Sequence, residues 1–180
     1  MKQLVVLVGC AVLLTGLAGC RSAGKEVKVT TAEDNRFPQF LVGTWRAENE
    51  KWELTFSSDG SILTIRHPFV TVPISLAEGG AYEEGREGAY SVYVMGPCTA
   101  RYQPDESELK VKITIDYFQV VLPVGTAEGK MVEYLTGPVS EDRTTWTAEW
   151  VNYVELVGQE KPDLDSIPRE TVIFTKVQAQ

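Results

Sequence analysis

The chain is 180 residues long, with 25 acidic against 17 basic side chains and a net charge of −8. Phosphate backbones demand a basic footprint, so this balance excludes nucleic acid as a partner. It also leaves no polybasic patch for anionic lipid, so any membrane attachment has to come from elsewhere.

The first element supplies one. Lys2 gives a positive start, and Leu4 to Gly19 is apolar apart from Thr15 and the glycines. That run is shorter than the roughly 20 residues a helix needs to cross a hydrocarbon core. A basic start, a short apolar run and a small-residue exit describe a cleaved signal peptide over residues 1–19. An uncleaved anchor helix would need more apolar residues, and a plain secretory cut would leave Leu17 where a small residue is usual. The exit Leu17-Ala18-Gly19-Cys20 resembles the lipobox of bacterial lipoproteins. That resemblance implies a diacylglyceryl thioether on Cys20, cleavage just before it and acylation of the new amine. A thiol is the nucleophile such a bond needs, and Ala18 and Gly19 are small enough for a peptidase to reach the backbone. Two or more acyl chains anchor stably where one holds marginally. The expectation is an exported protein held at a membrane through acyl chains on Cys20, on the periplasmic face. By resemblance to enterobacterial sorting, Arg21 in place of an aspartate points to the outer membrane over the inner.

Loss of the leader leaves 161 residues with 16 basic and 25 acidic side chains, a net charge of −9. That length suits one domain and buries roughly 68–70% of the unfolded surface without a staple. Cys10 leaves with the leader and Cys20 is acylated, so Cys98 has no intrachain partner and reads as a small apolar filler. Residues 20–36 read as the acylated cysteine and a flexible tether. The run "RSAGKEVKVTTAEDNR" is polar without an apolar period, and as a coil it spans about 22 Å.

Residues 37–180 read as a single all-β domain. "KWELTF" puts Trp52, Leu54 and Phe56 on one face, and "LKVKITIDY" does the same with Leu109, Val111, Ile113, Ile115 and Tyr117. "TWTAEW" sets Trp146, Ala148 and Trp150 together. This alternation marks strands with one buried face, and no 11-residue span carries a helical stripe. Ser58-Asp59-Gly60 predicts a tight hairpin between "KWELTF" and "SILTIR", because glycine supplies the positive φ of such turns. Pro104-Asp105 and "GPVSEDR" (137–143) break the chain before the next strands. Parity is lost over Phe118 to Leu122, which predicts a bulge or burial on both faces. "LAEGGAYEEGREGAY" reads as a glycine-rich acidic loop. About 8–10 strands at meander spacing suit an antiparallel barrel, with a β-sandwich as the alternative.

The stretch "FLVGTWRAENEKWELTFSSDGS" resembles the first two strands of lipocalin-like β-barrels. Gly43-Thr44-Trp45 matches their Gly-x-Trp signature, which follows a short helical turn and closes one barrel end. The match covers about 22 residues; later there is no Thr-Asp-Tyr-like segment and no basic residue clearly placed to stack on Trp45. The resemblance implies a cup for a small apolar ligand, with Trp45, Trp52, Phe56, Tyr90, Tyr117, Trp146 and Trp150 as its candidate lining or core aromatics. The other reading of these side chains is a filled core, which makes the domain a non-enzymatic structural or protein-interaction module of the envelope. A transmembrane barrel makes the tether and lipobox redundant, and the terminal "FTKVQAQ" lacks a final aromatic.

Catalysis finds little support. His67 is the only histidine and reads as a surface or turn residue rather than a zinc ligand or triad member. A Cys98–His67 pair is the one nucleophilic arrangement left, because such partners meet in space. The clusters Glu48/Glu50/Glu53, Glu83/Glu84/Glu87 and Asp163/Asp165 lack calcium-loop spacing and read as solvated charge. No metal or cofactor is implied, and a hydrolase of unknown type ranks behind the two binding readings.

Overall fold

The computed structural model describes residues 37–178 apart from 48, 50, 69, 71, 77–80, 87 and 88; the leader, Cys20 and the tether lie outside the described residues. Eleven strands follow one another: β1 (Gly43–Ala47), β2 (Trp52–Phe56), β3 (Ile62–Arg66), β4 (Ile74–Ser75), β5 (Ala81–Arg86), β6 (Ala89–Met95), β7 (Thr99–Gln103), β8 (Glu108–Leu122), β9 (Gly125–Pro138), β10 (Thr145–Leu156) and β11 (Arg169–Lys176). Among the described residues no α-helix forms, and no helix is long and apolar enough to cross a membrane.

All strands join one antiparallel sheet in the order β4-β3-β2-β1-β11-β10-β9-β8-β6-β5. β6 and β7 share one edge of β8, β6 along its second half and β7 along its first. They are one long strand broken at Gly96-Pro97-Cys98, where Pro97 has no N–H to give to a ladder. Ten strand positions therefore curl round until β4 and β5 meet weakly across a seam. The molecule is a nearly closed barrel, and the sandwich alternative falls away.

The period-two pattern sets which side chains face in. Trp52, Leu54 and Phe56 of β2 are buried, as are Leu109, Val111, Ile113 and Ile115 of β8. The register of β8 shifts against both neighbours near Ile115 to Phe118. The bulge turns Tyr117 outward and Phe118 inward, so it falls just ahead of the segment whose parity fails in the sequence. The Ser58–Gly60 turn forms as expected, with Gly60 at φ 87° and Ser57 N–H donating to Ser61 O. The glycine-rich acidic segment is not one loop. β5 and the start of β6 lie within it, because Tyr82 pairs with Tyr93 across the ladder and packs into the barrel.

One end of the barrel is sealed. A 3-10 turn over Gln39–Leu41 crosses it, and Trp45, wholly buried, donates from Nε1 to Leu41 O at 2.9 Å. Lys176 of β11 stands over the Trp45 ring, 5.9 Å from its centroid, and its ammonium donates to Phe40 O. A basic residue does therefore stack on Trp45; it comes from the last strand, 131 positions away, where spacing gives no hint. Trp146 and Phe174 stack beside them at 4.6 Å. On β9, a Cβ at Gly137 would lie 2.0 Å from Thr147 O, and one at Gly129 would lie 2.1 Å from Glu155 O. These two glycines let β9 and β10 approach where the wall bends.

Candidate functional site

The interior divides into two apolar clusters. The larger, towards the sealed end, gathers Trp45, Phe56, Leu109, Leu135, Trp146 and Phe174 among others. The smaller, towards the opposite end, holds Val70, Ile74, Tyr93, Ile115, Phe118 and Met131. A polar layer lies at their junction.

Its centre is Glu133 of β9, fully buried because Met131, Glu133 and Leu135 share the inward parity of the strand. Its Oε1 lies 2.8 Å from His67 Nε2 and accepts from Trp150 Nε1 at 3.2 Å. His67 follows β3 directly and is 2% exposed, so its surface placement from sequence is corrected. Pro68 ends the strand after it, but the barrel wall curves over that end and turns the ring inward. The edge of Trp52 meets the imidazole at 4.9 Å and Trp150 at 5.8 Å. Tyr93 closes the layer on the far side, 6.4 Å from His67 and 6.4 Å from Tyr82. Burial, followed by the charges of Tyr82, Glu84 and Glu133, holds the Tyr93 phenol above its usual range.

Three atoms of the layer are buried without a partner: Glu133 Oε2, Trp52 Nε1 and Asn152 Oδ1. Asn152 sits opposite Glu133 in the β9–β10 register, which brings the two Cβ atoms within about 4.5–5.5 Å. An unpaired buried polar atom costs about 1–3 kcal/mol, so three in one layer make this the least satisfied part of the interior among the described residues.

Access follows from β10. Trp146 and Ala148 are fully buried, whereas Trp150, Asn152, Val154 and Leu156 on the same face are half-buried. β11 stops pairing at Arg169, opposite Val151, so Asn152–Leu156 keep a free edge. Val120 and Leu122 of β8 likewise become progressively exposed. The inner wall is thus fully buried towards the Trp45 end and becomes half-buried along Trp150–Leu156 of β10 and exposed by Leu122 of β8 at the other.

Of the seven aromatics singled out in the sequence, Trp45, Phe56 and Trp146 fill the sealed half, and Trp52 and Trp150 form the polar layer. Tyr90 and Tyr117 lie outside, 40% and 37% exposed. Tyr117 is turned out by the bulge, and Tyr90 has the outward parity of β6. Glu133 escaped notice, although "MVEYL" carries the signal: a carboxylate at an inward position of a strand. A groove of about 660 Å³ also occurs, lined by Arg46, Thr171, Ile173 and Lys176 among others, but it lies on the outer wall and touches none of these aromatics.

Cys98 is fully buried at the strand break, where its thiol donates to Gly96 O at 3.5 Å. Burial pushes it up to about 11, opposed by a backbone hydrogen bond from Thr114 and assisted by the charges of Glu133 and Asp116. A thiol held protonated is a poor nucleophile, and the described contacts engage His67 Nε2 with Glu133 and the Cys98 thiol with Gly96 O. Iodoacetamide at pH 8 is expected to leave Cys98 unmodified in the folded protein and to label it after denaturation. The sign for stability follows from the same burial. The unfolded thiol loses its proton near 9.0 and the folded one near 11, so the contribution is complete below 9 and is lost as pH rises through 11.

Among the described residues, no group of three or more His, Cys, Asp or Glu side chains is placed to hold a metal ion. Glu53 pairs with Arg46 at 2.8 Å, Glu84 accepts from Tyr82, and Asp163 caps the 3-10 turn at Leu164–Ser166. Glu48, Glu50 and Glu87 lie outside the described residues. Compared with family models, curated proteins and solved structures, the chain matches none.

Proposed function

We propose that the protein is an exported, lipid-anchored envelope module whose barrel binds a small, largely apolar ligand through its open end. The observation that carries this reading is the half-buried inner wall of β10, which leads to three buried, unpartnered polar atoms. Apolar walls with a few convergent polar groups are the usual form of a small-molecule site. The sealed end, with its helical turn, Trp45 and Lys176, supports the lipocalin-like resemblance of Gly43-Thr44-Trp45. Anchoring rests on the lipobox-like Leu17-Ala18-Gly19-Cys20 alone.

A second reading, a protein-interaction module, draws on the outer wall. There Tyr90 faces Val121 and Val94 faces Tyr117 across the β6–β8 ladder, with three of the four large side chains exposed. Native mass spectrometry of the protein from its own membrane separates the two. A retained small molecule supports the cup, and a retained polypeptide supports the interaction module. The anchoring proposal has its own test: Cys20→Ser is expected to move the protein from the membrane to the soluble fraction. A Cys20→Ser protein that stays in the membrane without its first 19 residues would sink it.

A further inference from the structure

The polar layer has a composition that selects among ligands. Glu133 Oε2 and Asn152 Oδ1 are two acceptors on adjacent strands, both without a donor. Among the described residues, Trp52 Nε1 is the buried unpartnered donor of the same layer. Around them stand the rings of Trp52, Trp150, His67 and Tyr93. A guest that satisfies the two acceptors brings at least two N–H or O–H donors. Carboxylate and aromatic faces together favour a positive guest, through charge-assisted hydrogen bonds and attraction to the ring quadrupoles. An anionic head would face Glu133 directly and be repelled.

We infer that the ligand carries an ammonium head, seated between Glu133 Oε2 and Asn152 Oδ1 against Trp52 and Trp150, with its apolar body along Val120, Val154 and Leu156. This rests on the reading of the barrel as a ligand cup. A primary ammonium has three donors and no acceptor, so it pairs with both orphan oxygens at once and leaves the Trp52 ring as its third neighbour. The half-buried positions on β8 and β10 supply a wall for the attached chain.

The test uses the full chain in nanodiscs of zwitterionic phospholipid, with tryptophan fluorescence as the readout and empty nanodiscs as the blank. The probes are hexylammonium, 1-hexanol and hexanoate, which share one chain and differ only in the head. Hexylammonium is expected to bind at least about tenfold more tightly than either of the others, the yield of one charge-assisted hydrogen bond in a buried site. Glu133→Gln is expected to weaken hexylammonium about tenfold and erase the order among the three. Asn152→Leu removes the other acceptor at a half-buried position and is expected to weaken it about threefold to tenfold, which keeps the question open to measurement if Glu133→Gln fails to fold. Equal binding of all three probes, as when water alone fills the layer, overturns the head-group assignment and leaves the cup standing. Absence of binding by any probe overturns the cup itself.

Discussion

Glu133→Ala is expected to lower the stability of the barrel by about 3–5 kcal/mol, the usual cost of removing one member of a buried pair. The loss comes from what remains. His67, 2% exposed, keeps its place without the oxygen 2.8 Å away, and Trp150 Nε1 loses its acceptor. For a chain of this size the midpoint of thermal unfolding falls by roughly 6–20 °C. Replacing both partners is expected to cost less than replacing Glu133 alone, because Glu133→Leu with His67→Phe fills the same space and leaves no imidazole facing an apolar wall, with Trp150 Nε1 the group still stranded. Thermal and urea unfolding of the two single variants and the double variant measure this. A double variant as unstable as the sum of the singles would show that the two side chains act independently.

Trp45→Ala is expected to cost about 3–5 kcal/mol as well, for a different reason. Trp45 is the knot of the sealed end, where its indole fills the space under the Gln39–Leu41 turn, donates to Leu41 O and carries Lys176 on its face. An alanine leaves a cavity bounded by elements from both ends of the domain. The β1–β11 ladder, in register at Trp45 with Lys176, should loosen with it. Hydrogen exchange reads this locally: the amide of Val177, which donates to Thr44 O, should lose protection before those of β8 and β9. Trp45→Phe keeps most of the volume and loses only the indole hydrogen bond, so about 1–2 kcal/mol is expected. Unchanged Val177 protection in Trp45→Ala would show that the turn, not the indole, holds the closure.

Strands whose inward positions are all apolar were legible from sequence, because burial on one face imposes a period of two that any reader of "KWELTF" or "LKVKITIDY" can count. Where the wall bends, the count fails. The bulge near Phe118 exchanges the faces of Tyr117 and Phe118, and Pro97 splits one strand into two, so neighbours in sequence no longer share a rule. β5 was hidden for another reason. Its glutamates and glycine look like a loop, and only pairing with β6 makes them a strand. The sealed end was half legible: Gly43-Thr44-Trp45 is local, whereas its Lys176 partner arrives through the tertiary fold. The polar layer was the least visible. Glu133, His67 and Asn152 come from β9, the end of β3 and β10, and nothing in their separate surroundings marks them as neighbours. Their common inward parity is a pattern that can be sought in other barrel sequences.

The pairing of β1 with β11 also orders events in time. A chain delivered from its N-terminus can zip β8, β9 and β10 as they emerge, since each lies beside the strand before it. β1 has to wait. Its second neighbour is completed only at Lys176, so Trp45 spends the whole of delivery without its final partner. Joining strands so far apart is the slow step expected of such a topology. Until then the chain remains an unclosed ribbon, with its largest aromatic surfaces open to any holdase that meets it.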